Sequence, residues 1–169
     1  MPASASATVG SALAILKAQP LWACHRSADV AQFQFGKRRA SGKPSDLGDY
    51  ALHVRCPWRV LRKNRILVGS DDLFFPAGYN SGMEPPPDFD WQRQPNRLDK
   101  LRLALFTPGR PVLSVRKIEV GLAGSFRLLF DDKMALEVFP ASSRRVEHWR
   151  LLARQAGEPL FVLTGAEPE

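Results

Sequence analysis

Tyr50-Ala51-Leu52-His53-Val54-Arg55-Cys56 decides the fold class of this chain. Tyr50, Leu52, Val54 and Cys56 alternate with Ala51, His53 and Arg55, the period of a strand with one face turned to a core. Pro57 follows and has no N–H to give a ladder, so the strand ends there, at an edge or a bulge. Arg62-Lys63-Asn64 then reads as a turn, and Ile66-Leu67-Val68 as a short return strand stopped by Gly69, which together make a hairpin. Upstream, Val30 to Phe35 alternates in the same way. Val9 to Lys17, rich in Ala and Leu and followed by Gln19-Pro20, predicts a short helix ending near Ala18. Lys37 to Asp49 holds Gly42, Pro44 and Gly48 among basic residues and reads as a mobile connection.

Downstream, residues 76–95 contain five prolines and two glycines, which excludes regular structure and predicts an irregular loop at 76–96. Asn96 is a good N-cap for a helix over 97–106, where Leu98, Leu101 and Leu105 share one face. Three strands are expected beyond it: Val112 to Leu122, Ser125 to Phe130 and Met134 to Phe139, the last two joined across Asp131-Asp132-Lys133. Glu147 to Leu163 is two-sided. Val146, Trp149 and Leu152 have helical spacing, whereas Leu160 to Leu163 suits a strand, so a helix or extended turn followed by a strand is expected. Runs of strands with few helices give an α+β fold: a single domain over 9–165 with a largely antiparallel sheet covered on one face, one N-terminal helix and one central helix. Residues 1–8 are expected to be disordered.

The 169 residues, 44% of them hydrophobic, suffice for one core. Apolar runs such as Leu101 to Phe106 fall far short of the roughly 20 residues a membrane-spanning helix needs. Met1 to Gly10 lacks the basic start of a secretory signal, and two cysteines in a chain of this size predict free thiols in a reducing cytoplasm. The net charge of +7 is unevenly laid out. Residues 1–66 carry 11 basic and 3 acidic groups, whereas residues 67–92 carry five acidic and no basic ones. Such blocks can give a surface with one basic and one acidic region.

Chemistry-bearing patterns are sparse. Cys24-His25 with His53-x-x-Cys56 offers zinc-ligand types, but on a strand His53 and Cys56 point to opposite faces, so no metal and no cofactor is expected. No nucleophile elbow, phosphate-binding glycine loop or paired acid and base is present, so no catalytic residue is assigned and the chain is not expected to be an enzyme. Arg55, Arg59, Arg62, Lys63 and Arg65 with Trp58 form a nucleic-acid candidate, since cations neutralise phosphates and an indole stacks on bases. Asp71, Asp72, Asp88, Phe89, Asp90 and Trp91 form a partner-binding candidate, because aromatics flanked by carboxylates anchor basic proteins. The competing reading is that Phe89 and Trp91 pin their loop onto the sheet.

Gly48-Asp49-Tyr50-Ala51-Leu52-His53-Val54, Pro57-Trp58-Arg59, Gly69-Ser70-Asp71-Asp72-Leu73-Phe74, Leu136-Glu137-Val138-Phe139-Pro140 and Glu147-His148-Trp149-Arg150 resemble an uncharacterised bacterial single-domain family. The likeness spans most of residues 15–164. That family in turn resembles immunity proteins, small cytoplasmic binders that occupy a toxin's active site. The resemblance implies a non-catalytic interaction domain with a protein partner. The charge of +7 departs from the acidity expected of an inhibitor of a basic nuclease, and residues 67–92 alone have the required sign.

Overall fold

The computed structural model describes residues 5–40, 46–107 and 109–165. Strands β1 (Pro20–Ser27), β2 (Val30–Phe35), β3 (Tyr50–Val54), β4 (Trp58–Arg62) and β5 (Arg65–Gly69) are followed by β6 (Leu113–Val120), β7 (Phe126–Phe130), β8 (Met134–Val138), β9 (Glu147–Ala153) and β10 (Phe161–Thr164). Helix α1 (Ala5–Leu13) precedes them and α2 (Arg97–Leu105) lies between β5 and β6. All the strands belong to one antiparallel sheet in the order β10-β9-β3-β2-β1-β6-β7-β8-β4-β5, and the sheet is not closed. The fold is therefore α+β, as the strand pattern predicts.

The sheet has two halves joined at a narrow seam. β1 and β6 pair through Pro20↔Ser114 and Leu21↔Leu113, extended by the Ala18 N–H to the Val115 carbonyl at 2.8 Å. About this seam the halves turn toward one another. Phe33 of β2 meets Trp58 of β4 edge-on at 5.0 Å, and Phe126 of β7 meets Trp149 of β9 at 5.1 Å. Strands far apart in the sheet order thus share one core, which also holds Leu52, Val54, Leu128, Leu136 and Leu151. The inner face of the sheet is covered largely by the sheet itself. Val9, Leu13 and Leu16 seal one side against β6, and Leu98 of α2 seals another near β5.

Alternation explains which residues reach that core. Along β3, Leu52 and Val54 are buried while Ala51 and His53 are half-buried on the other face. On the outer face of the second half-sheet, Glu119, Arg127, Glu137 and Arg59 stand directly opposite one another on β6, β7, β8 and β4. Their alternating charges form a continuous ion-pair row. Exposed pairs contribute little each, but opposite charges in register fix pairing and penalise a slip.

One expectation is corrected, and a strand was not foreseen. Residues 147–153 are not helical: β9 is an interior strand between β3 and β10, with Trp149 opposite Val54 and Leu151 opposite Leu52. The helical spacing of Val146, Trp149 and Leu152 loses to pairing on both sides of the strand. β1 was not foreseen, because a bulge between Leu21 and Ala23 breaks its period at Trp22. Ala5 to Thr8 stand at the start of α1, and residues 1–4 lie outside the described residues. The 37–49 connection is tied at both ends, by Arg39 bridged to Leu47 and by the Gly48 N–H donating to Gln34 Oε1 at 3.0 Å; residues 41–45 lie outside the described residues.

Two substitutions test this packing. Trp149→Ala removes a side chain with no solvent exposure and the Nε1 donor that the Gly124 carbonyl accepts at 3.0 Å, so chemical denaturation should show a loss of about 3–5 kcal/mol. Gly48→Ala would set a Cβ 2.3 Å from the Phe35 carbonyl oxygen, and the same measurement should show a loss of about 1–3 kcal/mol.

Candidate functional site

The acidic segment folds as an anchored loop between β5 and α2. A short 3-10 turn, Ser70–Phe74, begins it. Asp72 serves that turn rather than the surface: its carboxylate accepts the Gly69 N–H at 2.9 Å and pairs with Arg97 at 2.9 Å. Arg97 also donates to the Tyr79 carbonyl at 3.0 Å, and the Tyr79 hydroxyl donates to the Glu84 carbonyl at 2.9 Å. The two ends of the loop are laced together where Ala77 N–H reaches the Pro95 carbonyl and Arg97 N–H reaches the Phe75 carbonyl. Five prolines fix φ without supplying donors, so these few bonds hold the backbone.

Trp91 is the pin at the far end. Its half-buried ring packs against the core, meets Phe74 edge-on at 5.9 Å and has the Arg26 guanidinium 6.0 Å from its centre. Asn96, buried, caps α2 by accepting the Asp99 N–H at 2.8 Å and donates to the Trp91 carbonyl at 3.3 Å. Asp99 is held by Arg26 and Arg102, each at 2.7 Å. Burial pushes the Asp99 carboxyl up, but the hydrogen bonds from Arg26 and Arg102 overcome it and hold the group well below the usual carboxylate range.

Of the six residues expected to bind a partner, Asp71 and Asp88 are exposed and have no ion partner among the described residues. Asp90 forms a local turn through the Gln92 N–H and sits 3.6 Å from Arg93. Phe89 is half-buried and helps line a shallow hollow of about 450 Å³ with Pro76, Pro86 and Pro95. Asp72 and Trp91 hold the loop in place. The structure adds three surface residues that sequence reasoning missed: Phe74 at 46% exposure, Met83 at 73%, and Glu84, also without an ion partner among the described residues. The signal for Met83 and Glu84 is their position directly before Pro85-Pro86-Pro87, a run that keeps its neighbours out of a core.

The basic hairpin is largely neutralised. Arg55 pairs with Glu147 at 3.4 Å, Arg59 with Glu137, and Arg62 with Asp132 at 2.8 Å. Trp58 lies in the core at 2% exposure and is unavailable to stack on a base in the folded chain. Lys63 and Arg65 remain exposed without an ion partner among the described residues. Neither cysteine is poised for chemistry. Burial pushes the thiols of Cys24 and Cys56 up to about 12, so both are protonated at neutral pH. Cys24 pairs in register with Phe33, whereas His25 and His53 flank Gln32 on the neighbouring row. Among the described residues no three His, Cys, Asp or Glu side chains converge in a way that could hold a metal ion. No helix of the described residues is long and apolar enough to cross a membrane.

Compared with protein-family models, with curated proteins and with solved structures, the chain matches none.

The anchor beneath the loop predicts an acid response. Asp99 ionises more readily folded than unfolded, so its contribution is complete above its unfolded value of about 4 and is lost as pH falls through the lower folded value. Asp99→Asn should therefore cost about 1–3 kcal/mol at neutral pH. The gap to the parent should close in unfolding curves measured progressively below about pH 4.

Proposed function

We propose that this chain is a non-catalytic binding domain that presents its 70–96 loop to a basic protein partner, as an immunity protein presents an acidic surface to a toxin. The observation that carries this reading is the pairing pattern of the carboxylates. Asp72, Asp99, Glu119, Asp131, Asp132, Glu137 and Glu147 each hold an arginine. Asp71, Glu84 and Asp88 hold none among the described residues, nor do the exposed Asp29 and Glu158 elsewhere, so one loop gathers three of the five unpaired carboxylates. Opposite charge on a partner would steer encounter and set orientation.

Exposed Phe74 and Met83 beside those carboxylates supply apolar area, and a thioether adapts to irregular surfaces. The lacing by Arg97, Tyr79 and the Pro76–Asn96 bridge supports the same reading. A loop already held in one conformation loses less entropy on binding.

Affinity capture tests the proposal. Unmodified protein and the variant Asp71→Ala/Met83→Ala/Glu84→Ala/Asp88→Ala are each used as bait in an extract of the source cells, with matched thermal unfolding as the folding control. The expected result is a basic protein retained by the parent, released by rising salt and lost from the variant. Identical retained proteins for both baits, with both folded, would overturn the proposal.

A further inference from the structure

The seam where β1 meets β6 holds a cleft of about 220 Å³ that neither the acidic loop nor the basic hairpin explains. Its walls come from β1, the 37–40 segment, the end of α2, the 109–112 segment and the 131–132 turn. Trp22, Arg38, Arg62, Arg110, Asp131 and Asp132 supply its polar lining, over a floor that includes Leu21, Phe106 and Met134. Trp22 is the residue left over by the β1 bulge, and bulges re-aim a side chain away from the regular ladder.

Two residues lining this cleft, Trp22 and Arg110, carry groups without partners among the described residues. The Trp22 Nε1–H is shielded from solvent and meets no acceptor, an arrangement that is costly unless something fills it. The charges leave a single surplus. Arg38 pairs with Asp46, Arg62 with Asp132, and Arg116, just outside, with Asp131. Arg110 has no carboxylate among the described residues. The remainder is one guanidinium and one N–H donor, over an apolar floor, in a space smaller than a drug-sized pocket.

We infer that this cleft binds a small monoanionic carboxylate with an apolar body, its oxygens shared between Arg110 and the Trp22 Nε1–H. A guanidinium fork matches a planar carboxylate in two parallel bonds. A dianionic phosphate would exceed the one surplus charge. The side chains around the N–H must part by the width of one oxygen for the second bond to form; Arg38, 62% exposed and 5.2 Å from the indole centre, can give way. The same chemistry comes from a free organic acid or from the C-terminal carboxylate of a peptide with an apolar last residue.

Titrating 15N-labelled full-length protein with benzoate, and following the indole N–H signals, tests the assignment. Trp22→Phe identifies the Trp22 signal, and benzyl alcohol and sodium chloride are the controls. The Trp22 signal should move saturably with benzoate and with neither control. Arg110→Gln should weaken binding about tenfold or more, the worth of one charge-assisted hydrogen bond. Lys17→Gln removes the same charge elsewhere and should leave binding unchanged. A peptide ending in leucine with a free carboxylate, set against its amide, separates the sources: tighter binding than benzoate assigns the site to a chain terminus, and weaker binding to a free acid. A Trp22 signal unmoved by every carboxylate, or moved equally by chloride, would overturn the inference, as would equal effects of Arg110→Gln and Lys17→Gln. Should Trp22→Phe not fold, calorimetry of benzoate binding to the parent and Arg110→Gln decides the same question.

Discussion

Everything in this molecule depends on two aromatic contacts that bring distant strands together, Phe33 against Trp58 and Phe126 against Trp149. A ten-stranded open sheet would leave a wide apolar face in water; turning at the β1–β6 seam lets that face bury itself. Trp149 is the best-tied member: fully buried, edge-on to Phe126, tilted against Phe161, with its Nε1–H satisfied by Gly124. An indole of this size contributes more buried apolar area than any aliphatic side chain around it, and its single polar atom is paired.

Because the core is made by the sheet halves themselves, the helices and the long loop are free for other work. α2 serves mainly as an anchor. Its N-cap Asn96 and first-turn Asp99 organise Trp91, Arg26 and Arg102 into one network beneath the acidic loop. The stability of that network is lent to the loop, where Asp71, Glu84 and Asp88 are left unpaired while most other carboxylates among the described residues are neutralised. The same contrast holds for the cations, since the ion-pair row Glu119, Arg127, Glu137, Arg59 consumes charge on a face that would otherwise be strongly basic.

Much of this was legible in the residues. The β3 alternation, the turn after Arg62 with its return strand, the cap at Asn96 and the proline-rich loop all obey local rules, but the partner of that return strand is β4, a separate strand not expected after Pro57, while β3 pairs with β2 and β9. What was hidden depended on tertiary context. β9 carries helix-like spacing and becomes a strand because β3 and β10 flank it. β1 is masked by its own bulge at Trp22. Trp58 sits among arginines in sequence, yet the pleat turns it inward while Arg59 turns out. The acidic block was visible from composition, but which carboxylates would be spent internally was not, since Asp72 is set apart from its neighbour Asp71 by its reach to the Gly69 N–H and to Arg97.

The central claim is that two half-sheets share one core and stand or fall together. Native-state amide hydrogen exchange across a denaturant series tests it most directly. The slowest amides of β2 and β3 should exchange with the same free energy and the same denaturant slope as those of β7 and β8, because neither half has a core of its own. Protection that persists in one half-sheet while the other opens at lower free energy would contradict it.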